Sequence, residues 1–317
     1  MKKRPEIIVW TVTAIIIVAM VVVVGLLSYF SSLEKWIGDY KISFVDSFST
    51  VRISDYRGDG NVEIPSQIYS FKVIHISDSI FEENENITSV FFPSDLNLDV
   101  PIDIYACPNL VKIEFEEGTS EILIYVMYCD KLKELVIPEG VEEIEGQFYG
   151  CSSLDKIKFP STLKRASKWS FDESKFIEMH ENDKYYMVGD NVLFYFGAYD
   201  EDIVIPQGTK CFDDSVYTTE SSKNIDQRNI YIPESVTILD IQTYDYDTVY
   251  FGNEELEFLD LNCRLDGIKG TIVAPANSYM EQFCKENGYN FRVMTDAEEK
   301  EWRQKTEAAA SEITYQE

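Results

Sequence analysis

Histidine is the scarcest chemically versatile residue in this chain. Only two of its 317 residues are histidine, His75 and His180, and they lie in distant parts of the sequence. Histidine is a common general acid–base group and metal ligand, so this scarcity leaves little material for a catalytic or metal centre. The sequence also contains no glycine-rich phosphate loop, C-x-x-C pair, H-E-x-x-H motif or nucleophile elbow. These absences predict a protein that is not an enzyme and that carries no cofactor.

Basic residues are the second shortage. Lysine and arginine number 28 against 56 aspartates and glutamates, which gives a net charge of −28 at pH 7. Such an acidic surface repels nucleic-acid phosphates and anionic lipid headgroups, so nucleic acid is not an expected partner. Hydrophobic residues make up 45% of the chain and aromatic residues 14%. The composition therefore predicts a folded acidic protein and not a disordered one.

The many carboxylates form no specific metal motif in the sequence. The best calcium candidate is the run at 95–99 (DLNLD). It fails as an EF-hand because Val100 stands where glycine is needed and Ala106 stands where the bidentate glutamate is needed. A solvated acidic face is the favoured interpretation, and weak calcium binding by clustered acids is the alternative.

One long hydrophobic run lies near the N-terminus. Residues 7–30 contain no charge, and a helix of that length spans roughly 36 Å, more than the ~30 Å hydrocarbon core of a bilayer. Residues 2–4 (KKR) precede the run and Glu34 is the first charge after it, so the positive-inside rule predicts a cytoplasmic N-terminus. A cleaved signal peptide is the alternative, but its apolar region would be shorter, and no small-x-small cleavage site follows Leu27. We expect a single-pass anchor in the cell membrane, with the rest of the chain outside.

A regular spacing of cysteines indicates a repeat. Cys107, Cys129 and Cys151 follow one another at intervals of 22 residues. The position three residues before each cysteine, and the equivalent position in the copies on either side, is apolar. Its occupants are Phe81, Ile104, Val126, Phe148 and Phe171. Proline recurs after an aliphatic or aromatic residue, as at 137–141 (IPEGV), and at a strand end its missing N–H is tolerated. A period of roughly 20–30 residues with this pattern is typical of a solenoid with one strand per coil.

The same spacing predicts the state of the cysteines. All six lie after residue 30, where disulfides would be permitted if that part is extracellular. Equivalent residues of neighbouring coils stack at ~4.8 Å, whereas the Cβ atoms of a disulfide lie ~3.8 Å apart. Three stacked thiols also cannot all pair with one another. We therefore expect a ladder of buried free thiols that act as small apolar fillers.

The repeat resembles a known family. CSSLDKIKFP (151–160), beside CDKLKELVIP (129–138), resembles the BspA-like class of bacterial surface leucine-rich repeats. Residues 53–81 are similar to the opening repeat of that family, and 272–291 to its closing segment, in which a short helix covers the last coil. Residues 176–206 are similar to an insertion in which a hairpin interrupts the coils. The resemblance implies a mainly β solenoid of about eight coils, with one strand per 22–23-residue coil, and a role in surface attachment or adhesion.

These features divide the chain into five expected segments. They are a cytoplasmic stub at 1–6, a transmembrane helix at 7–30, a linker and N-terminal cap at 31–60, the repeat solenoid at 61–293 and an acidic helical or disordered tail at 294–317. The last segment opens with Thr295 and Glu298 at the spacing of a capping box.

Outward-facing strand residues provide the candidate binding surface. The two expected columns are Lys112, Glu134, Lys156 and Glu114, Val136, Lys158. Their alternating charges would either fix the register through cross-strand pairs of ~0.2–1 kcal/mol each or form part of a broad partner surface. The aromatic residues of 244–251, among them Tyr244 and Tyr246, are a second candidate patch. The expected function is binding of an extracellular protein or glycan, and the alternative is an acidic envelope spacer without a specific ligand.

Residues 57–59 spell Arg-Gly-Asp, the tripeptide that animal integrins recognise. The same residues fall where the resembling family has a Tyr-x-Gly-x-Gly turn. Backbone geometry therefore explains the glycines without an adhesive role, and the turn is the favoured interpretation.

Overall fold

The computed structural model describes residues 16–23, 33–45, 49–97, 100–144, 146–197, 202–213, 228–241, 246–252 and 268–316. Residues 16–23 are helical and exposed. The remainder of the expected membrane span, 7–15 and 24–30, lies outside the described residues. Within the described ranges, no helix combines the length and the apolar character that crossing a bilayer requires. The anchor therefore stays a prediction from the sequence.

Strands dominate the described structure. The strands of the first half are β1 (Lys35–Ile37), β2 (Tyr40–Phe44), β3 (Thr50–Tyr56), β4 (Gly60–Glu63), β5 (Gln67–Ile68), β6 (Phe71–Ile76), β7 (Ile87–Phe92), β8 (Ile102–Tyr105), β9 (Lys112–Phe115), β10 (Ile124–Met127), β11 (Glu134–Val136) and β12 (Lys156–Lys158). Those of the second half are β13 (Tyr185–Val188), β14 (Val192–Phe196), β15 (Ile203–Val204), β16 (Cys211–Asp213), β17 (Arg228–Ile232), β18 (Ile238–Asp240), β19 (Tyr246–Phe251), β20 (Ile268–Ala274), β21 (Asn290–Val293) and β22 (Ile313–Tyr315). After residue 33 the helices are α1 (Lys175–Met179), α2 (Tyr279–Asn287) and α3 (Asp296–Ala310).

The coils stack in parallel, which confirms the expected β solenoid. One face of the solenoid consists of β4-β7-β9, then β11-β12, then β15-β17-β19-β20-β21, and we call it the strand face. Registers such as Val90↔Ile113 and Leu135↔Ile157 place equivalent inward residues of successive coils side by side. The described residues form about nine turns of the solenoid. A second, narrower sheet of β8 and β10 gives some coils two strands, a feature that the one-strand pattern did not include.

A sheet of β1, β2, β3, β6 and β5 closes the N-terminal end. Strands β1, β2 and β3 pair antiparallel, and β3 then pairs parallel with β6. The antiparallel strands cover the first coil, since an uncovered coil would leave its apolar face in water.

An inner column of apolar residues, one from each of five successive coils, lies at the centre of the N-terminal part of the core. Phe81, Ile104, Val126, Phe148 and Phe171 are all fully buried at 0% exposure. The Phe148 and Phe171 rings stack almost parallel, with their centroids 5.3 Å apart. Burial of a side chain of this size contributes about 1.5–3 kcal/mol, so the column is a principal source of stability.

The three stacked cysteines are free, and each is buried at 0% exposure. Their thiols also do more than fill space, because each Sγ donates to a backbone carbonyl of the preceding coil. The acceptors of Cys107, Cys129 and Cys151 are the carbonyl oxygens of Phe81, Ile104 and Val126, at 2.8, 3.9 and 3.6 Å. Burial raises the pKa of the Cys151 thiol to about 11. The thiol therefore stays protonated and can serve as this weak donor at neutral pH.

In five successive coils, the residue just before the cysteine position adopts the left-handed conformation. The φ angle lies between 50° and 65° at Glu83, Ala106, Tyr128, Gly150 and Glu173. In the first four, the backbone N–H donates to a carbonyl of the next coil, for example from Ala106 to Met127 at 2.8 Å. Each coil thus turns at the same point, although only one of the five is glycine. For the other residues this conformation carries a steric cost of about 1–2 kcal/mol.

Replacing Ala106 with glycine is therefore expected to stabilise the protein, by up to about 1 kcal/mol. The substitution removes the steric cost of φ 50°, which exceeds the added backbone entropy of glycine in the unfolded chain. Urea unfolding measures the change. Ala308→Gly, the same substitution at an exposed position of α3, should instead cost about 0.5–1 kcal/mol. Destabilisation by both changes would contradict the strain argument.

The expected hairpin is formed by β13 and β14, which pair antiparallel. Gly189 and Asn191 in its turn have φ of 53° and 60°. Every residue of the two strands is buried, because the hairpin lies between two hydrophobic clusters. Tyr186, Val188, Val192 and Phe194 pack on the N-terminal cluster, whereas Tyr185, Met187, Leu193 and Phe196 pack on the C-terminal one. The insertion thus divides the described core into two parts.

The segment after residue 294 is not a loose tail. Helix α3 begins at a complete capping box of Thr295 and Glu298. Its Trp302 is 1% exposed, and the indole Nε1 donates to the carbonyl of Ile232 at 2.9 Å. Strand β22 then pairs parallel with β13, at the edge of the hairpin. The composition of this segment indicated solvent exposure, but one apolar stripe of the helix is enough to bury it against the solenoid.

Acid is expected to weaken the attachment of α3 through Glu298. Hydrogen bonds from Arg292 and from the Thr295 backbone lower the pKa of Glu298 to about 2. The folded-state pKa lies below the unfolded value of ~4.3, so the carboxylate's contribution is complete above that pH and is lost as pH falls towards 2. Glu298→Gln should cost about 1 kcal/mol at pH 7 and almost nothing near pH 2. Urea unfolding of the wild type and of Glu298→Gln between pH 7 and pH 2 measures this difference in stability. The exposed Glu307→Gln is the control, and an equal pH-dependent loss there would contradict the assignment.

Candidate partner-binding surface

The predicted charged columns lie on the strand face, but their pairing differs from the expected alternation. Between β11 and β12, Lys156 and Glu134 form the expected cross-strand ion pair at 2.5 Å. Lys112 instead pairs with Glu114 on its own strand, at 2.6 Å. The physical reason is that β9 and β11 belong to different sheets, so no ladder holds Lys112 opposite Glu134.

A groove of about 640 Å³ lies over this break between β9 and β11. Val111 and Val136 line it and are 50% and 45% exposed. The charged residues along the groove are Lys112, Glu114, Lys133 and Glu134. Apolar side chains inside a rim of charges are the usual composition of a protein interface. Lys158, in register with Val136, extends this surface onto β12 and is exposed.

The chain's own helix occupies the same face in the C-terminal half. The Lys305 ammonium lies 4.1 Å from the centre of the Tyr231 ring and 2.6 Å from an Asp202 carboxylate oxygen. Tyr231 stacks on Tyr250, and both lie on the outward side of the same parallel strands. Helix α3 therefore covers the C-terminal continuation of the predicted columns. The strand face between β9 and β12 stays open to solvent.

The second candidate patch, at 244–251, is contradicted at Tyr246. Tyr246 and Phe251 are each 1% exposed and belong to the C-terminal core, while Tyr244 lies outside the described residues. The register of β19 shifts between Tyr246 and Thr248, so the inward–outward alternation changes within the strand. Only Tyr250 of the described tyrosines in this segment faces outward.

The Arg-Gly-Asp sequence is built into the N-terminal cap. The Arg57 guanidinium lies 4.5 Å from the centre of the Trp36 ring and donates to the Gly38 carbonyl at 2.9 Å. A Cβ on Gly58 would lie 2.3 Å from the Tyr56 hydroxyl oxygen. The arginine and glycine thus have local structural roles.

Many other outward polar residues bond to the equivalent residue of the next coil. Lys164 pairs with Glu142 at 2.7 Å, and the Ser152 hydroxyl donates to Asp130 at 2.6 Å. These contacts hold neighbouring coils in register and do not form a site.

The calcium candidate is only partly described. Asp95 and Asn97 line a depression beside β7, while Asp99 lies outside the described residues. The described ranges contain no group of three carboxylate, histidine or cysteine side chains that could hold a metal ion.

Comparison with known families decides the classification of the repeat. The model of the BspA type leucine-rich repeat region matches six copies, over residues 53–178 and 125–249. The chain belongs to this family. The BspA-type repeats thus cover most of the solenoid, including the three stacked cysteines and the open part of the strand face.

Several solved structures are similar to this BspA-type chain. The T. pallidum leucine-rich repeat protein is 18% identical, with a TM-score of 0.33, covering 82% of this chain and 98% of that one. A leucine-rich cell surface protein from Faecalibacterium prausnitzii is 14% identical, with a TM-score of 0.32, covering 87% and 98%. A leucine-rich repeat protein from Bacteroides ovatus is 18% identical, with a TM-score of 0.33, covering 76% and 70%. No functionally curated protein matches the sequence. The assignment rests on the repeat model.

The groove was not predicted, although the sequence contains a signal for it. The other BspA-type coils near it carry proline within two residues of the strand end, at Pro93, Pro138 and Pro160. Residues 115–119 (FEEGT) lack this proline, and the irregular coil that results follows β9, at the break.

Proposed function

We propose that this protein is a cell-surface binding protein whose open strand face, between β9 and β12, holds an extracellular protein or glycan. The groove between β9 and β11 is the observation that carries this proposal. It combines exposed valines with charged groups of both signs, which suits recognition of a partner better than it suits solubility alone. Helix α3 supports the same conclusion, because it shows that this face accepts an amphipathic element through lysine and tryptophan contacts.

The location at the cell surface is a second part of the proposal. The uncharged run at 7–30 and the basic residues at 2–4 support a single-pass anchor with an external repeat domain. Intact cells that carry a C-terminally tagged chain would be treated with protease. Loss of the tag without lysis is the expected result, and protection of the tag until lysis would overturn the topology.

Binding can be tested with matched valine variants. The full chain in neutral detergent would be titrated with labelled protein and glycan fractions from bacterial and host surfaces. Saturable binding is expected for the wild type, and Val136→Arg should weaken it at least tenfold by placing a charge in the groove. Val293 is also 45% exposed but lies on β21, so Val293→Arg should bind as the wild type does. Equal loss in both variants would contradict a site in the groove.

The structural spacer is the alternative function. The ion pairs and hydrogen bonds between equivalent residues of successive coils favour it, because they explain part of the outward polar surface without a ligand. Absence of saturable binding to every fraction would support the spacer.

A further inference from the structure

A second surface of the solenoid differs from the strand face in composition. It consists of the outward residues of β8 and β10 and of the equivalent positions in the coils on either side. The pairings Asp103↔Tyr125, Tyr105↔Met127 and Tyr125↔Gln147 define its columns. The left-handed residues described above form its margin, since their N–H groups donate to this sheet. We call this surface the tyrosine face, and its two columns are Asp103, Tyr125, Gln147 and Tyr105, Met127, Tyr149.

Three of its tyrosines form a continuous row across successive coils. Tyr105 and Tyr128 have ring centroids 5.5 Å apart at 79°, and Tyr128 and Tyr149 have centroids 5.5 Å apart at 87°. Tyr128 is 42% exposed, while Tyr105, Tyr125 and Tyr149 are partly exposed. The Tyr128 ring packs over Gly150, where an added Cβ would lie 2.6 Å from a ring carbon. Neighbouring coils thus hold these rings in place, which lowers the entropy lost when a partner binds.

Carboxylates flank the row at both ends. Glu82 and Glu83 lie exposed at the N-terminal end and Glu173 at the C-terminal end. The Tyr149 hydroxyl donates to a Glu173 carboxylate oxygen at 2.6 Å, and this bond raises the pKa of Tyr149 to about 12. None of the residues that define the tyrosine face is lysine or arginine. At its margin, the buried Lys168 pairs with Asp172 at 2.8 Å.

We propose that the tyrosine face binds an arginine- or lysine-rich segment of a partner protein. A guanidinium or ammonium group is attracted to the faces of tyrosine rings and to the surrounding carboxylates at the same time. An extended peptide places alternate side chains ~6.6 Å apart, close to the 5.5 Å spacing of the rings. A glycan is the less suitable occupant because adjacent rings stand nearly perpendicular and so do not form one flat stacking platform. This site is independent of the groove on the strand face.

The test uses as its matched control another exposed tyrosine whose backbone has a positive φ angle. Tyr128→Asn removes the ring and keeps a residue that tolerates positive φ. Tyr69→Asn is the same change at another exposed tyrosine with a φ of 56°, distant in sequence from the tyrosine face. The probe is a fluorescein-labelled seven-residue peptide of alternating arginine and serine, titrated against the full chain in detergent at physiological salt. Binding should be ~3- to 5-fold weaker for Tyr128→Asn and unchanged for Tyr69→Asn.

A charge variant and two other probes complete the experiment. Glu173→Gln should weaken binding of the peptide to a similar extent, whereas the exposed Glu117→Gln should have no effect. Equal losses for the two glutamine variants would show attraction by overall acidity and overturn the proposal. Equal affinities of the two tyrosine variants would also overturn it. A glutamate–serine peptide should not bind, and binding of chitohexaose in place of the arginine peptide would assign the surface to glycans.

Discussion

Replacing Trp302 with alanine is expected to destabilise the protein by about 3–5 kcal/mol. The indole is 1% exposed, donates to the Ile232 carbonyl and packs directly on Gly252. Its removal leaves a cavity at the centre of the contact between α3 and the strand face and also leaves a buried carbonyl without its donor. Urea unfolding followed by circular dichroism measures the loss, and Trp169→Ala, at a tryptophan that is 55% exposed, provides the control.

Gly252 tests the same contact from the other side. A Cβ at this position would lie 1.8 Å from a carbon of the Trp302 ring, so Gly252→Ala should displace the indole without removing it. The cost should be at least as large as that of ordinary overpacking, about 1–3 kcal/mol. If Trp302→Ala unfolds at the same urea concentration as Trp169→Ala, α3 does not contribute to stability as the structure indicates.

Truncation of Phe148 is the second large expected effect. Phe148→Ala should cost about 3–5 kcal/mol, because the ring is fully buried and stacks on Phe171 in the inner column. A void in a stacked column also weakens the contacts of the coils on both sides, since each coil is stabilised mainly by its neighbours. Calorimetry or urea unfolding can measure the change.

Phe91 provides the comparison for this substitution. It faces outward on β7 and is only partly buried, so Phe91→Ala should cost about 1 kcal/mol. A cost for Phe148→Ala as small as that for Phe91→Ala would contradict the inner column as a principal source of stability.

Cysteine spacing and the recurring proline allowed the stacked coils to be predicted from sequence alone. The hairpin at β13 and β14 was expected from the resemblance of 176–206 to a family insertion, and Gly189 and Asn191 lie in its turn. These features are repeated or local, so one stretch of sequence contains the information that determines them.

Features that depend on contacts between distant residues were not predictable in this way. Ala106 and Tyr128 have no local preference for positive φ, and stacking on the next coil imposes the conformation. The burial of Tyr246 could not be predicted, because a register shift in β19 breaks the inward–outward alternation of the strand. The sequence indicated that α3 is a helix, but no local signal showed that Trp302 would pack against Gly252.

The C-terminal segment packs against residues in the middle of the chain, and this contact restricts how the protein can evolve. Gln316 makes two hydrogen bonds with the backbone of Phe159, which lies 157 residues earlier, while β22 pairs with β13. Duplication of a coil before β12 leaves these contacts intact, because both partners move together. Duplication between β15 and β21 shifts α3 and β22 by about 4.8 Å relative to the hairpin and separates them from their partners. Natural variants with different numbers of coils should therefore gain and lose them in the N-terminal half.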